Sequence, residues 1–230
     1  MNIEMQPNRY DFSALAEEYD IWYTSREGML YDRFEKTAML KYLPAQSNNK
    51  TLLDVGCGTG HWSEFFSECG FTVTGLDVSQ RMIDTARSKS NRDITYFVSD
   101  AHRLPFPDGA FDVTAAITTL EFTRNPAGVI REMVRCTRQP GGRVLIGVLN
   151  CCSWINRKRR NKGLPPYADA WLISPHQLRN MLEPYGKPEI TTTAFVPKST
   201  WMYYLAPLYN YVGTFFRLPT GAFLTGKVKL

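Results

Sequence analysis

Histidine is scarce in this chain and cysteine is unpatterned. The histidines are His61, His102 and His176, and the five cysteines include no Cys-x-x-Cys pair. An odd count without that spacing argues against a disulfide framework and against a zinc site. Cys57, Cys69 and Cys136 read as small residues of a reducing compartment, and adjacent Cys151 and Cys152 as buried packing residues, with a reactive pair as the alternative. The amino terminus (Asn2, Glu4, Gln6, Pro7, Asn8) has no basic stretch leading into an apolar one, so no secretory leader is expected and the location is read as cytoplasmic. Ser199 to Phe216 carries no charge and is long enough to span a bilayer. Four tyrosines, Asn210, Pro207 and Gly213 make it too polar and too broken for a span. Internal repeats and low-complexity linkers are also missing. At 230 residues, 43% hydrophobic and 21% charged, the chain fits one globular domain with a sizeable core.

The richest stretch is Leu53-Asp54-Val55-Gly56-Cys57-Gly58-Thr59-Gly60. A short apolar run ends in three glycines at alternate positions, the pattern of a strand entering a loop that holds a nucleotide-like ligand. Glycine tolerates positive φ and lets backbone approach the ligand closely. A dinucleotide loop places its third glycine at the sixth position, where this chain has His61. Asp54 lies inside the strand, where a carboxylate is costly unless paired. A loop around a pyrophosphate gains little from it, whereas a loop around an amine-bearing ligand does. Asp77 and Asp100 each close a further apolar run, at equal steps of 23 residues. A strand, a turn and a helix fill about that length.

These motifs, with Gly75-Leu76-Asp77-Val78-Ser79, Ser99-Asp100-Ala101, Leu104-Pro105-Phe106, Phe111-Asp112-Val113 and Pro140-Gly141-Gly142-Arg143, resemble the class I S-adenosylmethionine-dependent methyltransferases. The similarity is greatest to the ubiquinone/menaquinone-biosynthesis (type 11) group and covers roughly residues 50 to 150. It implies a doubly wound, mostly parallel seven-stranded sheet and S-adenosylmethionine as cofactor. It also implies cofactor-binding roles for Tyr19, Asp54, Gly56, Cys57, Gly58, Asp77, Val78, Met82, Asp100, Ala101, His102 and Ile117. Asp77 would accept both ribose hydroxyls, as a carboxylate does well. Asp100 and Ala101 would flank the adenine.

The periodicity predicts helices over 10–43, with Phe12, Leu15, Ala16 and Tyr19, then Leu30, Phe34, Thr37 and Leu40, on their inner faces. Ser13 and Glu17 would help start the first. Strands follow at 51–56, 72–77, 94–98, 111–117 and 143–149, with helices at 61–69, 80–88 and 126–137 between them. Such alternation implies a parallel sheet covered on both faces. The chain divides into a helical cap (1–50), a cofactor core (51–150) and an acceptor-side segment (151–230), all of one domain.

Methyl transfer from a sulfonium asks mainly for alignment in a dry site. A base is needed only for a nucleophile that keeps its proton. No catalytic residue stands out; Glu121, past the fourth strand, is a weak candidate, with a solvated loop carboxylate as the plainer reading. His61 reads as a packing or capping residue, His102 as a cofactor contact and His176 as structural. The acceptor side is assigned to Trp22 and Tyr23 of the amino-terminal region, to Glu121, and to Trp201 and Tyr204 of the aromatic stretch 199–216. By resemblance that stretch joins two antiparallel terminal strands, 188–196 and 221–229, as a lid over a hydrophobic or aromatic acceptor. Trp201, Leu205, Leu208, Val212 and Phe215 would share one helical face. The basic run Arg157-Lys158-Arg159-Arg160 with Lys162, in a chain of net charge +5, reads as a solvated loop or as a contact for anionic lipid or an acidic acceptor. Nucleic acid is disfavoured: Leu164-Pro165-Pro166-Tyr167 only superficially resembles a base-flipping motif and follows the wrong strand. No metal is expected. The rival readings are a non-catalytic cofactor binder, a peripheral membrane protein, or a nicotinamide oxidoreductase.

Overall fold

The computed structural model describes residues 19–90, 92–165, 167–197 and 199–230. The expectations for Tyr10, Phe12, Ser13, Leu15, Ala16 and Glu17, and for the side chain of Tyr19, lie outside the described residues. Two helices lead, α1 (Tyr19–Thr24) and α2 (Arg26–Leu40), followed by β1 (Thr51–Val55), α3 (His61–Glu68), β2 (Thr72–Asp77), α4 (Gln80–Lys89), β3 (Thr95–Val98), β4 (Val113–Ile117), α5 (Pro126–Cys136) and β5 (Arg143–Leu149). Then come α6 (Trp154–Asn161), α7 (Pro175–Leu182), β6 (Glu189–Thr193), a 3-10 turn over Thr200–Leu205, α8 (Ala206–Phe215) and β7 (Phe223–Lys229).

The seven strands form one sheet in the order β3-β2-β1-β4-β5-β7-β6. The first five are mutually parallel, and β7 runs antiparallel to both β5 and β6. This is the doubly wound, mostly parallel sheet that the alternating pattern requires. Central strands read as continuous apolar runs because both faces are covered; β4 (Val-Thr-Ala-Ala-Ile) is buried at all five positions. One core layer joins the sheet to α5 and α7 through residues such as Ile130, Met133, Ile146 and Leu178. The other joins it to α2 and α3 through Phe34, Met39, Phe66 and Phe223.

Helix starts follow local chemistry. The Ser79 and Asn125 side chains accept the Met82 and Gly128 amides, with Pro126 at a first-turn position of α5. Ser174 and Gln177 form a reciprocal capping box ahead of α7, which places His176 in its first turn.

Two inward faces differ from the periodic reading. In α2 the buried stripe is Tyr31, Phe34, Glu35, Ala38 and Met39, while Thr37 and Leu40 are exposed. The chain breaks at Ser25, which caps α2 through its side chain, so the helical phase restarts there. In 199–216 the turn changes from 3-10 to α at Ala206, and no single face persists across a change of period. The residues that face the body are Tyr203, Ala206 and Gly213. A Cβ at Gly213 would lie 2.5 Å from the Phe195 ring, so the close approach needs glycine. Trp201, Leu208, Val212 and Phe215 are turned to solvent instead.

Candidate active site

The strand order reverses between β1 and β4, and the crevice beyond the strand ends at such a switch point is where ligands bind in open α/β sheets. A cleft of about 690 Å³ opens there. It is walled by the turn after β1 (Gly56, Cys57, Gly58), the end of β2 (Asp77, Val78), the turn after β3 (Asp100, Ala101, His102) and the end of β4 (Ile117). Asp54 and Met82 complete the floor, and Tyr23 stands at one side.

Gly56 and Gly58 both take positive φ, +71° and +53°. Their surroundings differ. A Cβ at Gly56 would strike the Thr119 side chain at 2.3 Å, whereas one at Gly58 would point into open space. Gly56 is thus required by packing, and Gly58 leaves backbone bare toward the cleft. Thr119 holds the turn by donating its hydroxyl to the Val55 and Gly56 carbonyls at 3.1 and 3.2 Å.

Three carboxylates mark the cleft. Asp54 is 1% exposed, and its Oδ2 accepts the Ser63 hydroxyl at 2.7 Å. Burial pushes its acid up to about 7, against the Ser63 hydrogen bond. Asp77 accepts the Gly58 amide at 3.0 Å and the Ser79 amide at 2.9 Å, and burial still raises it above the ordinary carboxylate range. Asp100 is more open; the His102 amide at 2.9 Å and ring Nδ1 at 2.8 Å hold it below that range. His102 Nε2 is buried and has no hydrogen-bond partner.

The amino-terminal helices close the near side. The Thr59 hydroxyl donates to Asp20 of α1 at 2.8 Å, and Lys89 also pairs with Asp20, so α1 is latched to the glycine turn. Tyr23 stacks on His61 with centroids 3.8 Å apart. His61 Nε2 lies 2.7 Å from Asp32 Oδ1 and 3.0 Å from Lys36 Nζ. Burial pushes Asp32 up, but the hydrogen bonds from His61 and Lys36 prevail and hold it low. His61 is therefore part of the cleft wall as well as a packing residue.

Not every predicted residue reaches the cleft. Trp22 is half-buried against Tyr31 and the α2–α3 core. Glu121 lies in a 3-10 turn over Leu120–Phe122 and is 1% exposed, which overturns the solvated-loop reading. Its Oε1 accepts the Leu149 amide at 2.8 Å, Oε2 has no partner, and burial raises the acid to about 7. It is absent from the cleft lining, as are Trp201 and Tyr204, which are 69% and 65% exposed. Unforeseen were Trp62 and the run Thr118, Thr119, Phe122, Thr123 and Arg124 beyond β4. The rule that selects Ile117 at a strand end could have found that run, because the chain leaving β4 must cross the crevice.

A doubly wound sheet with a glycine turn and acidic strand ends defines a class of nucleotide-type cleft proteins. Comparison with known proteins narrows it: residues 53–146 match the methyltransferase-domain family. Among relatives, the chain is 31% identical over 151 residues to a malonyl-[acyl-carrier protein] O-methyltransferase of Pectobacterium atrosepticum, covering 63% of this chain and 56% of that protein. It is 32% identical over 141 residues to a demethylmenaquinone methyltransferase of Tropheryma whipplei, covering 59% and 56%. The chain spans about half the length of these curated relatives. The fold matches that of a solved S-adenosylmethionine-dependent methyltransferase from Thermotoga maritima, with a TM-score of 0.72 at 21% identity over 94% of this chain and 96% of that one.

Proposed function

We propose that this protein transfers a methyl group from S-adenosylmethionine to a small hydrophobic or aromatic acceptor. The observation that carries the reading is the order of polar groups along one cleft: buried Asp54, then the bare Gly58 backbone, then Asp77, then Asp100 with His102. The donor presents complementary groups in the same order, with an ammonium, a ribose diol and an adenine. The residues present fit it. Asp54 suits the ammonium, and the open space at Gly58 admits the amino-acid end against backbone. Asp77 suits the diol, and Asp100 with the buried His102 Nε2 suits the purine edge.

The bound donor supplies an electrophilic methyl on a sulfonium leaving group. The protein's part is to bind, align and exclude water. Ile117, Trp62, Phe122 and Tyr23 line the same cleft and present apolar and aromatic surface to an acceptor. Aromatic faces also attract a sulfonium. The names of the relatives favour an acyl-linked or quinol-like acceptor, and this wall favours the latter. Calorimetry with S-adenosylhomocysteine tests the donor, and absence of binding would sink the proposal. A screen of quinols, phenols, amines and acyl thioesters with labelled donor tests the acceptor, with label expected on a ring substrate.

A further inference from the structure

The charge-free stretch 199–216 leaves a large apolar surface uncovered. Trp201, Tyr204, Leu208, Tyr211, Phe215 and Phe216 are each 57–69% exposed, well beyond the scattered apolar residues of an ordinary surface. Tyr211 stacks on Phe215 with centroids 6.0 Å apart, and Phe215 meets Phe216 edge-on at 5.2 Å. Folding does not need them outside, since the body is met by Ala206 and Gly213.

The helix that carries the basic run starts at the same surface. An apolar groove of about 390 Å³ has the start of α6 (Ser153, Trp154, Ile155) as one wall and Met202 and Tyr209 as another. Helix α6 is sharply divided. Arg159 turns inward, paired with Glu27 at 2.8 Å and set over the Tyr31 and Tyr167 rings. Arg157, Lys158, Arg160 and Lys162 stay exposed, and exposed Arg217 follows the aromatic helix directly. An uncharged aromatic helix beside a fringe of cations matches the chemistry of a bilayer surface, where Trp and Tyr sit at the headgroup level and basic residues meet anionic lipid. A hydrophobic acceptor would give such a face a further use.

We propose that α8 and the exposed face of α6 dock this protein on anionic membranes as a peripheral, non-spanning contact. Among the described residues no helix is long and apolar enough to cross a bilayer. The test is sedimentation of the full chain with phosphatidylcholine vesicles, plain or with about 30% phosphatidylserine. Co-sedimentation is expected with the anionic vesicles and should weaken with salt. The triple variant R157Q/K158Q/R160Q should lose affinity roughly 100-fold, at about fivefold per charge. The pair F215S/F216S should abolish binding while its thermal melt stays at the parent value, because both rings are already in solvent. Equal binding to neutral vesicles, no binding to either, or parent-like binding by both variants would overturn the proposal. So would a concentration-dependent dimer dissolved by F215S/F216S, which would assign the patch to a second copy of the chain.

Discussion

If Asp54 holds the donor's ammonium, donor affinity must carry the signature of its raised acid. Burial pushes that acid up to about 7 in the free protein. Binding an ammonium requires the carboxylate, so the protonated fraction must give up its proton. The carboxylate's contribution to the apparent dissociation constant scales as one plus the ratio of acid to carboxylate, a factor about tenfold larger at about pH 6 than at about pH 8. A free α-amino group ordinarily titrates near ~8, so affinity should pass through a maximum between about pH 7 and 8. The assay is calorimetry with S-adenosylhomocysteine in buffers of different ionisation enthalpy. Proton release should approach one near pH 6 and about one half near pH 7. Asp54→Asn keeps the shape and an acceptor for the Ser63 hydroxyl but loses the charge. A charge-assisted hydrogen bond contributes about 1.5–3 kcal/mol, so affinity near pH 7.5 should fall roughly 10- to 150-fold, and the acid-side slope should vanish. A parent slope that is flat below pH 7, or one that survives in Asp54→Asn, would refute the reasoning.

Other expectations test the remaining groups. Asp77→Ala removes the acceptor for the Gly58 and Ser79 amides as well as the proposed diol contact, so donor affinity measured by calorimetry should drop by about 100-fold or more. Gly56→Ala meets Thr119 and should lower the thermal midpoint, at a cost of about 1–3 kcal/mol, whereas Gly58→Ala should melt within about 1–2 kcal/mol of the parent yet bind donor poorly. Buried Glu35, raised to about 8 by burial and then by Asp32, and Glu121, raised to about 7, keep protons that the unfolded chain releases near the ordinary carboxylate range. The native state then binds more protons between about pH 4.5 and 8, so their contribution to stability is full below that window and is lost as pH rises through it. Urea unfolding should show stability falling from about pH 5.5 to 8.5, and Glu35→Gln should flatten the fall; an unchanged slope in the variant would exclude Glu35 as its source.

Much of this molecule was legible in one dimension. Strands β1, β2, β4 and β5 are short apolar runs bounded by glycine, aspartate or proline turns, and that length with those flanks favours buried strands. The equal steps from Asp54 to Asp77 to Asp100 follow from the repeat of one strand-turn-helix unit, so all three carboxylates fall at strand ends that face one crevice. Residues whose position depends on distant partners were not legible. Glu121 reads as a loop carboxylate until the Leu149 amide and the turn that buries it are in place. His61 reads as a helix start until α1 and α2 bring Tyr23 and Asp32 against it.

The aromatic stretch marks the boundary most plainly. Its composition determined that it would be uncharged, aromatic and too broken to span a bilayer. Which side of it meets the body was a tertiary decision, because that depends on where Phe195 needs a glycine and where the turn changes period. The glycine turn and its aspartates lie within single strand-to-helix units, and short-range geometry specifies them. The aromatic surface is assembled from α2, α6, α8 and the chain after β6, and only the packing of those distant segments decides which rings are buried and which face solvent.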